Sequence, residues 1–198
     1  MSVEKQLVLS CFPGIGLLDM AFESEGFCVV RGPDLLWGGD IRNFHPPSGR
    51  FDGVIGGPPC QRFSPLNQAG RLGMQPLAEN RIPEFEHCVA AARPMWFLME
   101  NVREAPLPVV PGYRVQPELI NNRWLGEDQN RVRRFSFGTR DGRRLLIDYA
   151  VFDSPNVEPC VTANGTQWER GKGSRGGRSR SERTVKALAR YIALQGLP

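Results

Sequence analysis

Residues 7–16 read Leu7-Val8-Leu9-Ser10-Cys11-Phe12-Pro13-Gly14-Ile15-Gly16, a short apolar run that ends in a glycine turn. Beyond it Leu17, Leu18, Ala21 and Phe22 recur at helical spacing until Gly26, and Phe27–Val30 forms a second apolar run. Strand, glycine loop, helix, strand is the opening of a doubly wound α/β domain. Outward from this unit, strands are predicted at Phe51–Ile55 and Trp96–Met99, with a helix at Phe85–Ala92 that Pro94 closes. Arg134–Gly138 and Arg144–Val151 read as two further strands joined by an Asp141-Gly142 turn, an antiparallel hairpin at the edge of an otherwise parallel sheet. From Asp153 to about Gly177 the composition turns to Gly, Ser, Pro, Asn and Arg without periodicity. A helical pattern returns over Glu182–Leu194 through Val185, Leu188, Ala189 and Ile192.

The 198 residues suffice for one domain with a substantial core, and 40% hydrophobic with 23% charged residues are ordinary globular values. No apolar run approaches the roughly 20 residues of a membrane span, and MSVEKQLVLS lacks the features of a secretory signal, so a cytoplasmic location is expected. The five cysteines are scattered without a CxxC pair, which suggests neither a disulfide framework nor a metal site. Two histidines, His45 and His87, leave little material for a hydrolase triad. Residues 1–130 carry 11 Lys and Arg against 15 Asp and Glu, whereas residues 131–198 carry 14 against 6. A basic last third suits a polyanion-binding face, and simple solubility would produce the same imbalance.

Four stretches carry chemistry. The glycine turn would let backbone N–H groups approach a ligand at a helix N-terminus, although it lacks the third glycine of a dinucleotide fingerprint. Gly56-Gly57-Pro58-Pro59-Cys60-Gln61-Arg62-Phe63-Ser64 begins where a strand ends, at the sheet edge where α/β folds bind ligands. Its two prolines stiffen the chain before Cys60, and the polar turn favours a reactive sulfur over a buried structural one. Glu100-Asn101-Val102 places a carboxylate at the end of an apolar strand, where it needs a partner. In Gln129-Asn130-Arg131-Val132-Arg133-Arg134 the alternating Arg131 and Arg133 share one strand face and could grip a base or phosphates, as a merely solvated strand could also present them.

In this order the four stretches resemble the DNA cytosine-5 methyltransferases. SCFPGIG is similar to that family's cofactor loop, GGPPCQRFS to its catalytic loop, MENV to its glutamate motif and QNRVRR to its arginine motif, and LQGLP resembles its segment after the target-recognition region. The resemblance implies a Rossmann-like S-adenosylmethionine-dependent methyltransferase fold. It assigns residues 1–152 to the catalytic and cofactor-binding domain, 153–181 to a very small basic target-recognition region, and 182–198 to a helix packing back. Cys60 is implied as the nucleophile toward cytosine C6, Glu100 as the group meeting N3 and N4, and Arg131 and Arg133 as supports of base and loop. Phe12, Gly14, Ile15, Gly16, Asp34, Asp40, Ile41 and Pro59 are implied to hold S-adenosylmethionine, with Asp40 taking the adenine amino group and Ile41 packing on the ring. Gln61, Ser64, Arg170, Lys172, Arg175, Arg178 and Arg180 are implied to meet double-stranded DNA, from which the target base would flip out. Neither a metal nor a membrane enters this picture.

The chain departs from the family at Asp128, where a proline usually precedes the arginine motif, and in the roughly forty residues between Gly138 and the last helix, far fewer than usual. It also has no Gly-Asn-x-Val segment to form the family's last motif. Three readings follow: a compact phage-like enzyme, a second polypeptide completing the cofactor pocket, or a truncated and weak or inactive homologue; a catalytically silent DNA-binding or regulatory homologue on the same fold is the rival to all three. An enzyme acting on tRNA, or one moving a modified one-carbon group, is a further alternative.

Overall fold

A computed structural model of the chain describes residues 5–63, 79–125, 130–145 and 182–194. Among these, six strands form one sheet in the order β2-β1-β3-β4-β6-β5: β1 (Leu7–Cys11), β2 (Cys28–Arg31), β3 (Gly53–Gly56), β4 (Trp96–Asn101), β5 (Arg114–Asn121) and β6 (Val132–Thr139). The first four neighbours run parallel, while β6 pairs antiparallel with both β4 and β5. The sheet is therefore mostly parallel with an antiparallel edge, and the strand runs read in the sequence for β1 to β4 lie within a residue or two of those observed.

Side chains alternate across the pleat, so each buried strand feeds two cores. Val8, Ile55, Trp96 and Leu98 face α1 (Leu17–Ser24) and α3 (Glu182–Leu194), whose Ala21, Phe22, Val185, Leu188, Ala189 and Ile192 close that layer. Leu9, Val54, Phe97 and Met99 face the other way, toward Phe85, Cys88, Val89 and Ala92 of α2 (Ile82–Ala92). α2 starts earlier than the periodicity suggests, because Pro83 suits a first turn and Asn80 Oδ1 accepts the Ile82 N–H at 3.0 Å. Two strand glycines are dictated by this packing. A Cβ on Gly53 would lie 2.3 Å from the Trp96 ring, and one on Gly138 would lie 2.1 Å from Phe97.

The hairpin differs from the sequence reading. The partner of β6 is β5, which precedes it, and residues 140–145 form no strand; residues 146–151 lie outside the described residues. The cause is visible in Gln116 on β5. Its amide accepts from Leu145 N at 2.9 Å and donates to Leu145 O at 2.8 Å, so residue 145 docks on a side chain instead of a ladder. β5 itself (RVQPELIN) is half exposed and contains Pro117, a residue confined to edge strands, and so carries no apolar run to announce it.

Between β1 and β3 the chain reverses its direction of travel across the sheet, since β2 lies to one side of β1 and β3 to the other. Such a switch point opens a crevice at the carboxyl ends of the strands. No described helix is long and apolar enough to cross a membrane.

Candidate active site

The crevice divides into two clefts. One, of about 230 Å³, is lined by Phe12, Gly14, Pro33, Asp34, Leu35, Gly39, Asp40, Ile41, Gly57, Pro59 and Arg81. The second, of about 210 Å³, is lined by Phe12, Pro13, Ile15, Leu17, Leu18, Gly57, Glu100, Arg131 and Val185. Phe12 and Gly57 border both and so stand between them.

The first cleft depends on the turn after β1. Phe12 has φ 57° and Gly14 φ 52°, so the backbone curls in the left-handed region immediately beyond the sheet. Gly16 lies behind the cleft; with φ 82° it packs so closely that a Cβ would come 2.8 Å from Arg31 Nη2. That guanidinium is held in turn. Arg31 Nε bonds Asp19 Oδ2 at 2.9 Å, and the fully buried Asp19 accepts from Ser10 Oγ at 2.5 Å. β1, α1 and the end of β2 are thereby tied together behind the turn. Cys11, the last residue of β1, packs on Cys88 of α2; its hydrogen bond to that residue and its burial push the thiol well above the ordinary range.

Asp34 braces the front of the turn. Its Oδ2 accepts the Gly14 N–H at 2.9 Å, its Oδ1 accepts Leu36 N at 2.8 Å, and Trp37 Nε1 donates to Gly14 O at 3.1 Å. Asp40 sits at the rim, paired with Arg42 through Nε at 2.9 Å and also bonded to Arg42 N. The Arg42 guanidinium lowers the Asp40 carboxyl to about 2, so it stays ionised over any physiological range. Ile41 is buried, and Phe12, Ile41 and Pro59 give the cleft apolar walls. Apolar walls flanked by two carboxylates fit a ligand with a flat heterocycle, hydroxyls and an amino group: a nucleoside. S-adenosylmethionine is such a ligand, and these residues would hold it.

The second cleft is built at the ends of β3 and β4, adjacent parallel strands in which Gly56 pairs with Met99. Asn101, 1% exposed, donates from Nδ2 to Pro58 O at 3.1 Å and accepts Val102 N on Oδ1 at 2.8 Å. This fastens the proline turn before Cys60 to the strand that carries Glu100. A Cβ on Gly57 would approach Glu100 Oε2 to 3.4 Å, so the turn runs directly beside the carboxylate. Glu100 Oε1 meets Arg133 Nε at 3.0 Å and Arg131 Nη2 at 3.9 Å. Arg134, the next residue, points elsewhere and donates to the carbonyls of Arg103, Ala105 and Pro106, holding the loop after β4. Cys60 is half-buried against the α2-side core, and its carbonyl accepts Phe63 N at 2.9 Å.

Thus the crevice gathers Phe12, Gly14, Ile15, Asp34, Asp40, Ile41, Pro59, Glu100 and Arg131, with Arg133 joined through Glu100 and Cys60 one residue beyond Pro59. Gln61 lies exposed in the turn after Cys60. Ser64, Arg170, Lys172, Arg175, Arg178 and Arg180 lie outside the described residues. Sequence reasoning missed Arg81, which lines the first cleft and pairs with Glu84 at 2.6 Å, and the fastening role of Asn101. Among the described residues no group of three or more His, Cys, Asp or Glu is arranged to hold a metal.

The parallel strands, glycine turn and paired clefts at a switch point define a Rossmann-like fold. A prophage-encoded DNA modification methyltransferase from E. coli has the same fold, with a TM-score of 0.53 at 21% identity over 73% of this chain and 49% of that one. The profile of the C-5 cytosine-specific DNA methylases matches residues 37–106. Type II methyltransferase M.NgoPII of Neisseria gonorrhoeae is 25% identical over 194 residues, 82% of this chain and 56% of the relative. M.FnuDI of Fusobacterium nucleatum is 31% identical over 181 residues, 76% of this chain and 51% of the relative. The chain is therefore similar to the C-5 cytosine-specific DNA methylases, and it spans about half the length of these two relatives.

Proposed function

We propose that the protein transfers a methyl group from S-adenosylmethionine to C5 of cytosine in DNA, with Cys60 forming a transient covalent bond to C6. One observation carries the reading. Glu100, gripped by two arginines, lines a cleft bordered by the same Gly57 that leads through two prolines to Cys60.

Cytosine C5 is a weak nucleophile until a thiolate adds at C6, breaks the ring's aromaticity and shifts an electron pair toward C5. Cys60 supplies that thiolate. Glu100 meets the N3 and N4 edge; protonated as the base enters, its carboxyl donates to N3 as charge develops there and takes the proton back when the sulfur leaves. Arg133 and Arg131 hold Glu100 in place and add positive charge beside it. Phe12, Asp34, Asp40, Ile41 and Pro59 would hold S-adenosylmethionine, which would supply the electrophilic methyl group. Loss of the C5 proton to a base then lets the C5–C6 electron pair re-form and expels the Cys60 sulfur. Because C6 is inaccessible inside a duplex, the cytosine enters the cleft flipped out of its stack.

Cys60→Ser and Cys60→Ala variants should bind DNA and cofactor yet transfer no label from methyl-tritiated S-adenosylmethionine to DNA. Undiminished transfer by either variant would overturn the assignment. Bisulfite sequencing of DNA from cells expressing the chain reads activity and sequence context together.

A further inference from the structure

The opposite end of the sheet carries a feature that methyl transfer does not use. Gly53, Trp96, Thr139 and Arg114 pair in one row across β3, β4, β6 and β5, at the end of the sheet away from Cys60 and Glu100. Four exposed arginines cluster on this row. Arg50 precedes β3, Arg93 precedes β4, Arg140 follows β6, and Arg114 opens β5.

Backbone bonds fix these segments against one another. Gly49 N donates to Ala92 O at 2.8 Å, and Arg140 N to Met95 O at 3.1 Å. Tyr113 OH donates to Pro94 O at 2.6 Å. The Tyr113 phenol is pushed up by burial, with the charges of Arg140 and Arg93 drawing it down. Arg114 Nη1 lies 3.8 Å from where a Cβ on Gly142 would sit, so the 140–144 turn, with Arg143 and Arg144, borders the same surface.

Among the described residues no carboxylate forms an ion pair with the four arginines of the row. Asp141 is taken by Arg143 at 2.7 Å, and Asp52 accepts the Leu7 N–H at 2.6 Å. Among the described residues Arg50, Arg93, Arg114 and Arg140 have no side-chain partner. The exposed large apolar side chains include Ile15, Leu35 and Trp37 on other segments and Leu119 toward the far end of β5, so the row itself lacks the apolar centre that a protein interface uses. Its composition is arginine, whose planar fork matches phosphate oxygens in pairs. Four neighbouring strands span about 14 Å, roughly four base-pair steps of a duplex at 3.4 Å each.

We propose that this row binds the phosphate backbone of a second nucleic-acid segment, without sequence preference, while the catalytic edge holds the target. The two edges are separated by the six residues of β4, about 20 Å, enough for two duplexes to lie on opposite ends of the sheet. The site stands independently of the reading of Cys60 and Glu100.

The test uses the full chain with two short duplexes carrying donor and acceptor dyes at low salt. Wild-type protein should hold both and give energy transfer, whereas Arg50→Gln/Arg114→Gln/Arg140→Gln should hold one, with methyl transfer to a single duplex unchanged. The slope of log affinity against log salt at the weaker site should fall by about 3, close to 0.9 for each phosphate contact removed. The corresponding triple lysine variant should restore it. Were the catalytic reading wrong, the wild type would still bind one duplex and the triple glutamine variant would lose it. Undiminished energy transfer in the triple variant, a wild type that never holds a second duplex at the row, or binding of phosphatidylserine vesicles in place of DNA would each overturn the proposal.

Discussion

Asn101→Ala tests whether one buried amide holds the candidate catalytic turn in place. The substitution removes the 3.1 Å bond to Pro58 O and the 2.8 Å bond from Val102 N, both in the interior. A polar group stranded in the core costs about 1–3 kcal/mol, so the two together should cost about 2–4 kcal/mol, allowing for some relaxation. Against a typical total of about 5–15 kcal/mol that is a large loss, and urea unfolding followed by circular dichroism resolves it easily. Asn101→Asp separates the two contacts. It keeps an acceptor for Val102 N but sets an oxygen against the Pro58 carbonyl, and so should destabilise to a similar degree. Because Pro58 lies two residues before Cys60, both variants should also lose methyl transfer at temperatures where they remain fully folded. An alanine variant within about 0.5 kcal/mol of wild type, with its activity intact, would refute the argument that this amide fastens the turn.

Gly138→Ala would drive a methyl group to within 2.1 Å of the buried Phe97 ring, and overpacking of this kind costs about 1–3 kcal/mol. Thermal unfolding should show that loss, and adding Phe97→Leu should recover part of it. Arg42→Ala should let the Asp40 carboxyl rise from about 2 toward its ordinary 3.8, as followed by carboxyl carbon chemical shifts. A lowered folded-state value means that the pairing favours the fold above about pH 4 and is lost as pH falls through 2. The variant should therefore lose that part of the acid response and behave as wild type at pH 1.

The fold was legible wherever a strand is buried on both faces. Leu7–Leu9 and Trp96–Met99 are continuous apolar runs because helices cover both sides, and such runs stand out in a sequence. β5 is half exposed and interrupted by Pro117, so its pairing arises from the ladder with β6 rather than from any local pattern. Asp141-Gly142 gave a hairpin signal to a turn that leads into side-chain docking on Gln116, a contact 29 residues distant in the chain. The candidate site divides the same way. Cys60, Glu100 and the arginines sit in short motifs whose chemistry is local, whereas the buried pair Ser10 and Asp19 with its exposed partner Arg31, and the cleft residue Arg81, acquire meaning only after folding. Nothing in Leu17-Leu18-Asp19-Met20 distinguishes a buried carboxylate from a solvated one.

The left-handed backbone of Phe12 sets a conflict between durability and discrimination at one residue. A bulky side chain held there costs about 1–2 kcal/mol that glycine would not incur. Selection of this chain for heat tolerance alone would thus be drawn to Phe12→Gly. The same change would take down the partition between the two chambers, leaving a hardier molecule in which the two clefts run together.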